Sequence, residues 1–275
     1  MYENFVFENH LGQRFEGLQN HVYLNENDLR DYSWSYDKTN DRISRFYRGI
    51  TKRKIPLVVV ANTGDEANAA RNRLHELADV DIAARKPGRV YVGDYYTRGY
   101  ITASTKDRYN ISQRFSKISI VFTSDNPAWF REQITAFRPS DDGLAGASGT
   151  DYPYDYSYDY ALSLVGQRIN SPSINGSAFR IEIMGEITNP TIIIGDHVYS
   201  VEGQVGVNEV LTIDSLEKTI VLTTASGSRV NWFDRRNRDS YIFEPIPYGM
   251  NVVNWSGNFA FNLTLIDERS EPRWT

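Results

Sequence analysis

Apolar and polar residues alternate along much of the chain, and this two-residue period predicts β-strands. In the second half, Phe179, Ile181 and Ile183 alternate with Arg180 and Glu182, which predicts a strand with one buried and one solvated face. Further strands are predicted at residues 192–194, 197–201, 210–213, 219–223 and 259–266, with turns at Gly195-Asp196, 226–228 and 256–258. Such a run of short strands predicts a β-sandwich.

The first half shows the same strand pattern. Phe5 and Phe7 alternate with polar neighbours, and Ile55–Ala61 is a continuous apolar run that predicts a strand buried on both faces. We interpret the preceding Lys52-Arg53-Lys54 as a solvated entry to that strand. Strands are also predicted at Val90–Val92, Tyr100–Ala103 and Ile118–Phe122.

Two connections in this half have more than one interpretation. Either Gly93-Asp94 or Arg98-Gly99 forms the bend after Val92, since glycine permits a tight turn. The segment Asn126–Phe130 either starts a short turn of helix or leads into a linker.

One helix is predicted after residue 62. Thr63 and Glu66 have the spacing of a capping box, in which each side chain accepts a hydrogen bond from the other residue's backbone. Ala67, Ala70, Leu74 and Leu77 follow at helical spacing, so one stripe of the helix packs on a sheet, and we place the end of the segment at Gly88. His75 lies in this helix, and its spacing supplies no catalytic partner.

A stretch rich in tyrosine lies near the middle of the chain. Tyrosines at every second position from 152 to 160 would face one way in an extended segment, and the preceding residues 139–148 are small or turn-forming. The stretch predicts either a strap that clamps two domains together or an ordinary edge strand. We therefore predict an N-terminal domain at 1–140, a tyrosine-rich linker at 141–160 and a C-terminal domain at 161–275.

Composition excludes several classes of protein. The chain has 275 residues and no cysteine, which excludes disulfides and thiolate chemistry. Its net charge of −5 argues against binding driven by nucleic-acid phosphates. The first ten residues lack the basic and apolar regions of a signal peptide, so we expect a protein made and kept in the cytoplasm until an assembly carries it out.

Candidate chemistry is sparse. The four histidines stand singly, without the spacing of a metal site; they are His10, His21, His75 and His197. Ser148 lacks the strand and helix of a nucleophile elbow, and Gly203–Gly206 is not followed by the helix of a phosphate loop. Asp155 and Asp159 could serve glycoside hydrolysis, or they could keep a strand edge soluble. We therefore predict no catalytic, cofactor-binding or metal-binding residues.

The densest cluster of aromatic and charged residues is 231–241. Trp232 beside Arg235 could stack on a sugar or anchor a protein interface. The structural alternative buries Trp232 under the sandwich and pairs Arg235, Arg236 and Arg238 with Asp234 and Asp239. We expect Trp255 in the core and Trp274 as an anchor near the end of the chain.

Taken in order, several segments resemble the distal tail proteins of siphoviruses, bacteriophages with long non-contractile tails. The resemblance runs over nearly the whole chain and rests on Lys52–Leu57, Gly93–Tyr96, Tyr100–Thr102, Ile118–Phe122, Asn126-Pro127, the repeated Tyr-Asp-Tyr, Asn189–Gly195, Leu211–Asp214 and Trp255–Gly257.

The resemblance implies a mainly β fold with two parts. The N-terminal domain would be a β-sandwich related to tail-tube proteins, with one helix and a β-hairpin, that closes into a hexameric ring. The C-terminal domain would be a galectin-like β-sandwich outside the ring. The family carries no catalytic motif or metal ligand, and this chain lacks room for the carbohydrate-binding module inserted in longer relatives.

The resemblance also implies a position at the virion tail tip. The protein would be encoded by a phage or a prophage and assembled in the host cytoplasm. The partners would be the tail tube protein, the tape measure protein, the tail-associated hub or lysin protein and a receptor-binding protein, with DNA passing through the ring. The mild acidity would then keep DNA from adhering to the lumen. The rival hypothesis is a lectin-like adsorption module with Trp232 and Arg235 at a sugar site.

Overall fold

The computed structural model describes residues 4–109, 114–139 and 165–274. The chain divides into two compact units, Met1–Arg131 with Arg269–Thr275, and Glu132–Glu268. The predicted linker 141–160, with its tyrosines, lies outside the described residues together with Ser148, Asp155 and Asp159, so the predicted domains stay a prediction. No helix within the described residues has the length and apolar character needed to cross a bilayer.

The described residues of the first unit form ten strands, the last shared with the second unit, and one α-helix. They are β1 (Val6–Glu8), β2 (Arg14–Glu16), β3 (Val22–Leu24), β4 (Ser35–Thr39), β5 (Arg42–Tyr47), β6 (Thr51–Val60), α1 (Gly64–Ala84), β7 (Gly88–Val92), β8 (Tyr95–Tyr109), β9 (Phe115–Ser124) and the start of β10 (Trp129–Phe137). A single 3₁₀ turn, Leu18–Asn20, precedes β3.

Strand β8 links two antiparallel layers of this unit. Its first residues pair with β7, which continues through β1 to β2, and its later residues pair with β9, which continues through β6 to β3. Phe5, Phe7 and Phe15 from one layer share a buried cluster with Ile55 and Ile120 from the other. The predicted sandwich with one helix is therefore the architecture of this unit.

The helix begins as predicted and ends earlier. The Glu66 amide donates to Thr63 Oγ1 and the Thr63 amide donates to Glu66 Oε2, both at 3.2 Å, which completes the capping box. The predicted stripe is buried. The helix ends at Ala84 with Arg85 in the left-handed conformation, so the expected end at Gly88 is wrong. Gly88 lies in β7, where a Cβ would stand 2.2 Å from Asp81 Oδ2.

Two predictions around β6 are corrected. Ile55, Leu57 and Val59 are buried, but Pro56 and Val58 are half-buried and Val60 is exposed, so the strand has one core face rather than two. The reason is that an antiparallel sheet covers only one side of this strand with apolar partners. Arg53 is buried inside β6 rather than part of a solvated entry.

The other open connections are resolved. Val92 pairs with Tyr95 around Gly93-Asp94, which is therefore the hairpin turn, while Arg98-Gly99 lies within β8. After Asn126-Pro127 and Ala128 the chain enters β10, so neither predicted alternative for this segment holds. The aromatic pair Trp129 and Phe130 is buried, which favours a strand there.

The described part of the second unit is almost entirely β. Its strands are the rest of β10, β11 (Val165–Ser171), β12 (Ala178–Met184), β13 (Ile187–Thr188), β14 (Thr191–Ile194), β15 (His197–Ser200), β16 (Gln204–Val205), β17 (Val210–Asp214), β18 (Thr219–Thr223), β19 (Arg229–Asn231), β20 (Gly249–Trp255) and β21 (Ala260–Arg269). A 3₁₀ turn occupies Phe233–Arg235.

Two sheets share the core of the second unit. One has the order β19-β18-β17-β12-β21-β10 and the other β11-β20-β14-β15. Phe179 and Phe261 from the first sheet lie in one buried cluster with Tyr199, Val253 and Trp255 from the second. The predicted hairpin at Gly195-Asp196 and the core position of Trp255 are confirmed, and the chain as a whole is mainly β.

Candidate interaction surface

The hairpin β4–β5 is the most exposed regular element of the first unit. All its strand residues are exposed, and among the described residues the two strands pair with each other and with no other strand. The two-residue turn Asn40-Asp41 has φ of 51° and 58°, as a type I′ turn requires. The hairpin therefore projects from the unit instead of covering its core.

One side of this hairpin carries large apolar side chains. Tyr36 lies opposite Phe46 with ring centroids 6.5 Å apart, and Trp34 meets the same Phe46 edge-on at 6.4 Å. Ile43, opposite Lys38, continues the row beyond a bulge at Asp37/Lys38. We call Trp34, Tyr36, Ile43 and Phe46 the hairpin face.

The hairpin face remains exposed to solvent in the single chain. Phe46 is 58% exposed, and the other three members are exposed as well. Contiguous exposed apolar side chains on a soluble protein mark interaction sites, and aromatic residues dominate such sites energetically. The arrangement can therefore bury apolar area against a partner.

The charge of this element is opposite to that of the chain. Residues 35–48 contain four basic side chains (Lys38, Arg42, Arg45 and Arg48) and two acidic ones (Asp37 and Asp41), a net charge of +2. Because the whole chain carries −5, the remaining residues carry −7. A surface with an excess of acidic groups complements the hairpin electrostatically.

The sequence-based search for sites did not find this hairpin. The signal was present, since Asn40-Asp41 separates two segments rich in aromatic and β-branched residues. Asn40-Asp41 contains no glycine, so it is a weaker marker of a hairpin turn than Gly93-Asp94.

Trp232 is buried in the second unit, as the structural interpretation predicted. It is 5% exposed, and the Arg235 guanidinium lies 4.4 Å from its ring centroid. A Cβ on Gly203 would stand 2.9 Å from the same ring, so the backbone of Gly203 also closes over it. Arg236 approaches Asp234 at 3.9 Å. The ring fills space inside the unit, which leaves it little area for stacking on a sugar.

The histidines do not come together. His10 Nδ1 lies 2.7 Å from Asp81 Oδ1, His21 lies 3.9 Å from Glu66, and His197 Nε2 lies 2.8 Å from the Tyr241 carbonyl. Within the three described ranges, no group of three or more His, Asp or Glu side chains is arranged to hold a metal ion. Gly203–Gly206 contains the short strand β16 and makes no phosphate loop.

Comparison with known proteins was informative only at the level of structure. No protein-family model and no curated protein matches the chain. The Dit protein (gp 19.1) of phage SPP1, described as a paradigm of the hub adsorption apparatus of phages that infect Gram-positive bacteria, matches with a TM-score of 0.57 and 10% identity over 96% of this chain and 99% of that chain.

Two structures of the activated phage P2 baseplate contain a similar chain. With Ca the TM-score is 0.61 at 10% identity, and with Sr it is 0.63 at 11% identity, each over 99% of this chain and 100% of the other. The resemblance inferred from the sequence is thus confirmed at the level of the fold: over nearly its whole length, this chain is folded like the SPP1 Dit protein and a protein of the phage P2 baseplate.

Proposed function

We propose that this protein is a structural component of a phage tail tip, a distal tail protein that joins the tail tube to the adsorption apparatus. The supporting observation is that the likeness to the SPP1 Dit protein covers both chains almost completely, so neither protein has a large part that the other lacks. The role is architectural rather than enzymatic, and the protein resides in the virion tail.

The architectural role requires that copies of the chain assemble. Six copies form a ring through the first unit, with the hairpin face of each copy docked on the next copy. A second copy is the favoured occupant because the hairpin carries +2 while the rest of the chain carries −7. Such a contact joins two different surfaces, and contacts of this type close into a ring when the rotation per subunit divides a full turn.

The ring would have several neighbours. The tail tube protein and the tape measure protein lie on one side, and the tail-associated hub or lysin protein, with a receptor-binding protein, lies on the other. The galectin-like second domain stands outside the ring, with 1–140 and 161–275 as the domains and 141–160 as the linker.

The proposal is tested by the mass of the purified protein. We expect particles with six times the chain mass of 31.5 kDa by mass photometry, and six-fold rings by negative-stain electron microscopy. Phe46→Asp places a charge in the hairpin face, so we expect it to leave the chain monomeric. Tyr248→Asp changes an exposed aromatic residue of the second unit and is the matched control.

Two outcomes would contradict the proposal. A wild-type protein that stays monomeric or dimeric at all concentrations would overturn the ring. A Phe46→Asp variant that still forms six-fold rings would keep the ring but move the contact away from the hairpin face.

Passage of DNA through the ring adds a second requirement. A chain with a net charge of −5 repels phosphates, so we expect no retention of double-stranded DNA at physiological salt, measured by fluorescence anisotropy. A strongly basic lumen in the assembled ring would overturn this part.

A further inference from the structure

Arg48 connects the hairpin to a distant segment of the chain. Its guanidinium lies 4.2 Å from the ring centroid of Trp34, a member of the hairpin face. The same guanidinium donates a hydrogen bond to Ser270 Oγ at 3.1 Å. One side chain thus contacts both the base of the hairpin and residues 222 positions further along the chain.

The segment that contains Ser270 is itself held to the first unit. Arg30 donates to the Pro272 carbonyl at 3.1 Å, and its guanidinium lies 4.0 Å from the centroid of the Trp274 ring. Trp274 Nε1 donates to Glu271 Oε1 at 2.8 Å, although the residue is 75% exposed. Pro272 is buried, so this short segment is packed against the first unit.

These contacts matter because a two-stranded hairpin is marginally stable alone. Its direction must be set by side chains at its base, and here the base is an aromatic ring with a guanidinium over it. Arginine suits this task because its planar group can stack on a ring while its N–H groups donate sideways. Lysine offers a point charge without that fork.

We propose that the segment Arg269–Trp274 positions the hairpin for docking, and that Arg48 is the positioning residue through which it does so. The link to docking rests on the proposed ring, but the positioning itself is a property of the single chain. In this arrangement Trp34 is held at one end of the hairpin face, so the face presents a fixed surface and loses less conformational freedom on binding.

The direct test is hydrogen–deuterium exchange at protein concentrations low enough for mass photometry to show monomers, followed by mass spectrometry of peptides covering residues 35–47. Arg48→Ala removes the stacking and the hydrogen bond, and we expect these peptides to exchange about tenfold faster. Arg48→Lys should recover only a small part of the protection. Arg45→Ala is the matched control, because Arg45 lies on the same hairpin, 5.8 Å from Tyr47, on the side away from the hairpin face.

A double variant shows whether Arg48 acts through the segment. Ser270→Ala should accelerate exchange of the hairpin by about threefold, and it should add little in the Arg48→Ala background if the two residues work as a pair. Peptides from the capped helix Gly64–Ala84 should be unchanged in every variant, which excludes general unfolding.

The exchange experiment tests the positioning role of Arg48, and the assembly experiment tests the ring, so the two proposals can fail independently. Equal hairpin exchange in Arg48→Ala and Arg45→Ala, or full additivity with Ser270→Ala, would overturn the positioning role and leave the ring untouched. A chain that never assembles but shows the expected exchange would overturn the ring and leave the positioning role intact. If both hold, Arg48→Ala should weaken ring formation about tenfold more than Arg45→Ala, which removes an equal charge from the hairpin.

Discussion

Arg53 shows how far one residue can depart from its sequence context. It stands between two exposed lysines, yet it is 2% exposed and donates to the Pro127 carbonyl at 2.9 Å, with Thr97 Oγ1 at 3.5 Å. Burial lowers the pKa of Arg53 to about 10. Composition assigns charged residues to the surface and cannot identify the one whose guanidinium joins strand β8 to the connection before β10.

The site around Arg53 also contains two donors without acceptors. Arg53 Nε and Trp129 Nε1 are buried and have no hydrogen-bond partner among the residues that the structure describes. The Arg53 guanidinium lies 5.6 Å from the Trp129 ring centroid, so stacking compensates part of this loss.

His75 gives a prediction about pH. Burial, with a smaller contribution from Lys106, lowers the pKa of His75 below 6.5, and its Nε2 is a buried atom with no hydrogen-bond partner within the described ranges. As pH falls below 6.5, the unfolded chain takes up a proton that the folded chain resists, so stability must fall. We expect His75→Leu to lose less stability than wild type between about pH 7 and about pH 5 in urea titrations.

The comparison concerns the change in stability with pH rather than its value at one pH. Asn72→Leu, at an exposed position of the same helix, adds a leucine without removing the histidine and should keep the wild-type dependence. Equal acid sensitivity of His75→Leu and wild type would show that other groups control the acid limb.

The capping box of α1 gives a prediction at the scale of an element. Thr63→Ala removes the acceptor for the Glu66 amide, and we expect a loss of about 1 kcal/mol in the free energy of unfolding. Thr63→Ser keeps the acceptor oxygen, and serine caps helices at least as well as threonine, so this variant should lose little or no stability. Urea unfolding monitored by far-UV circular dichroism measures both, and equal losses in the two variants would assign the effect to the threonine methyl group instead.

Elements with short-range signals could be predicted from the sequence. The capping box placed the start of α1 at Thr63, and the two-residue turns placed the hairpins at Gly93-Asp94 and Gly195-Asp196. Each signal depends on backbone conformations that the residues themselves favour, so tertiary structure did not have to be known.

Elements decided by long-range contacts could not be predicted. The apolar run Ile55–Ala61 suggested two buried faces, but burial depends on what covers each face, and β3 and β9 flank β6 only at its edges. The end of α1 was misplaced because Gly88 is required by its close approach to the Asp81 side chain and to the backbone of Glu8, and Glu8 is distant in sequence. For the same reason the hairpin face was missed, since exposure is a property of the fold.

At the scale of the whole molecule, the separation of charge is more informative than the net value. The net charge of −5 argues against nucleic-acid binding, but it hides a projecting hairpin of +2 on a remainder of −7. Only the structure shows that the basic residues share one element with exposed aromatic rings. Electrostatic attraction then guides the approach of a second copy, while burial of the rings holds the contact.

Because electrostatic attraction guides the approach and apolar burial holds the contact, the response of ring assembly to salt can be predicted. Raising ionic strength from about 50 mM to about 500 mM shortens the Debye length and screens the attraction, so the association rate measured by stopped-flow light scattering should fall about tenfold. Dissociation should change little, because buried apolar area is not screened.

Arg42→Glu with Arg45→Glu reverses the sign of the hairpin charge. This double variant should associate slowly at low salt, and its association rate should be nearly independent of salt. Exchanging both arginines for lysine should preserve the wild-type response. If the variant with two glutamates retains the wild-type salt dependence, the electrostatic attraction between copies does not involve the hairpin.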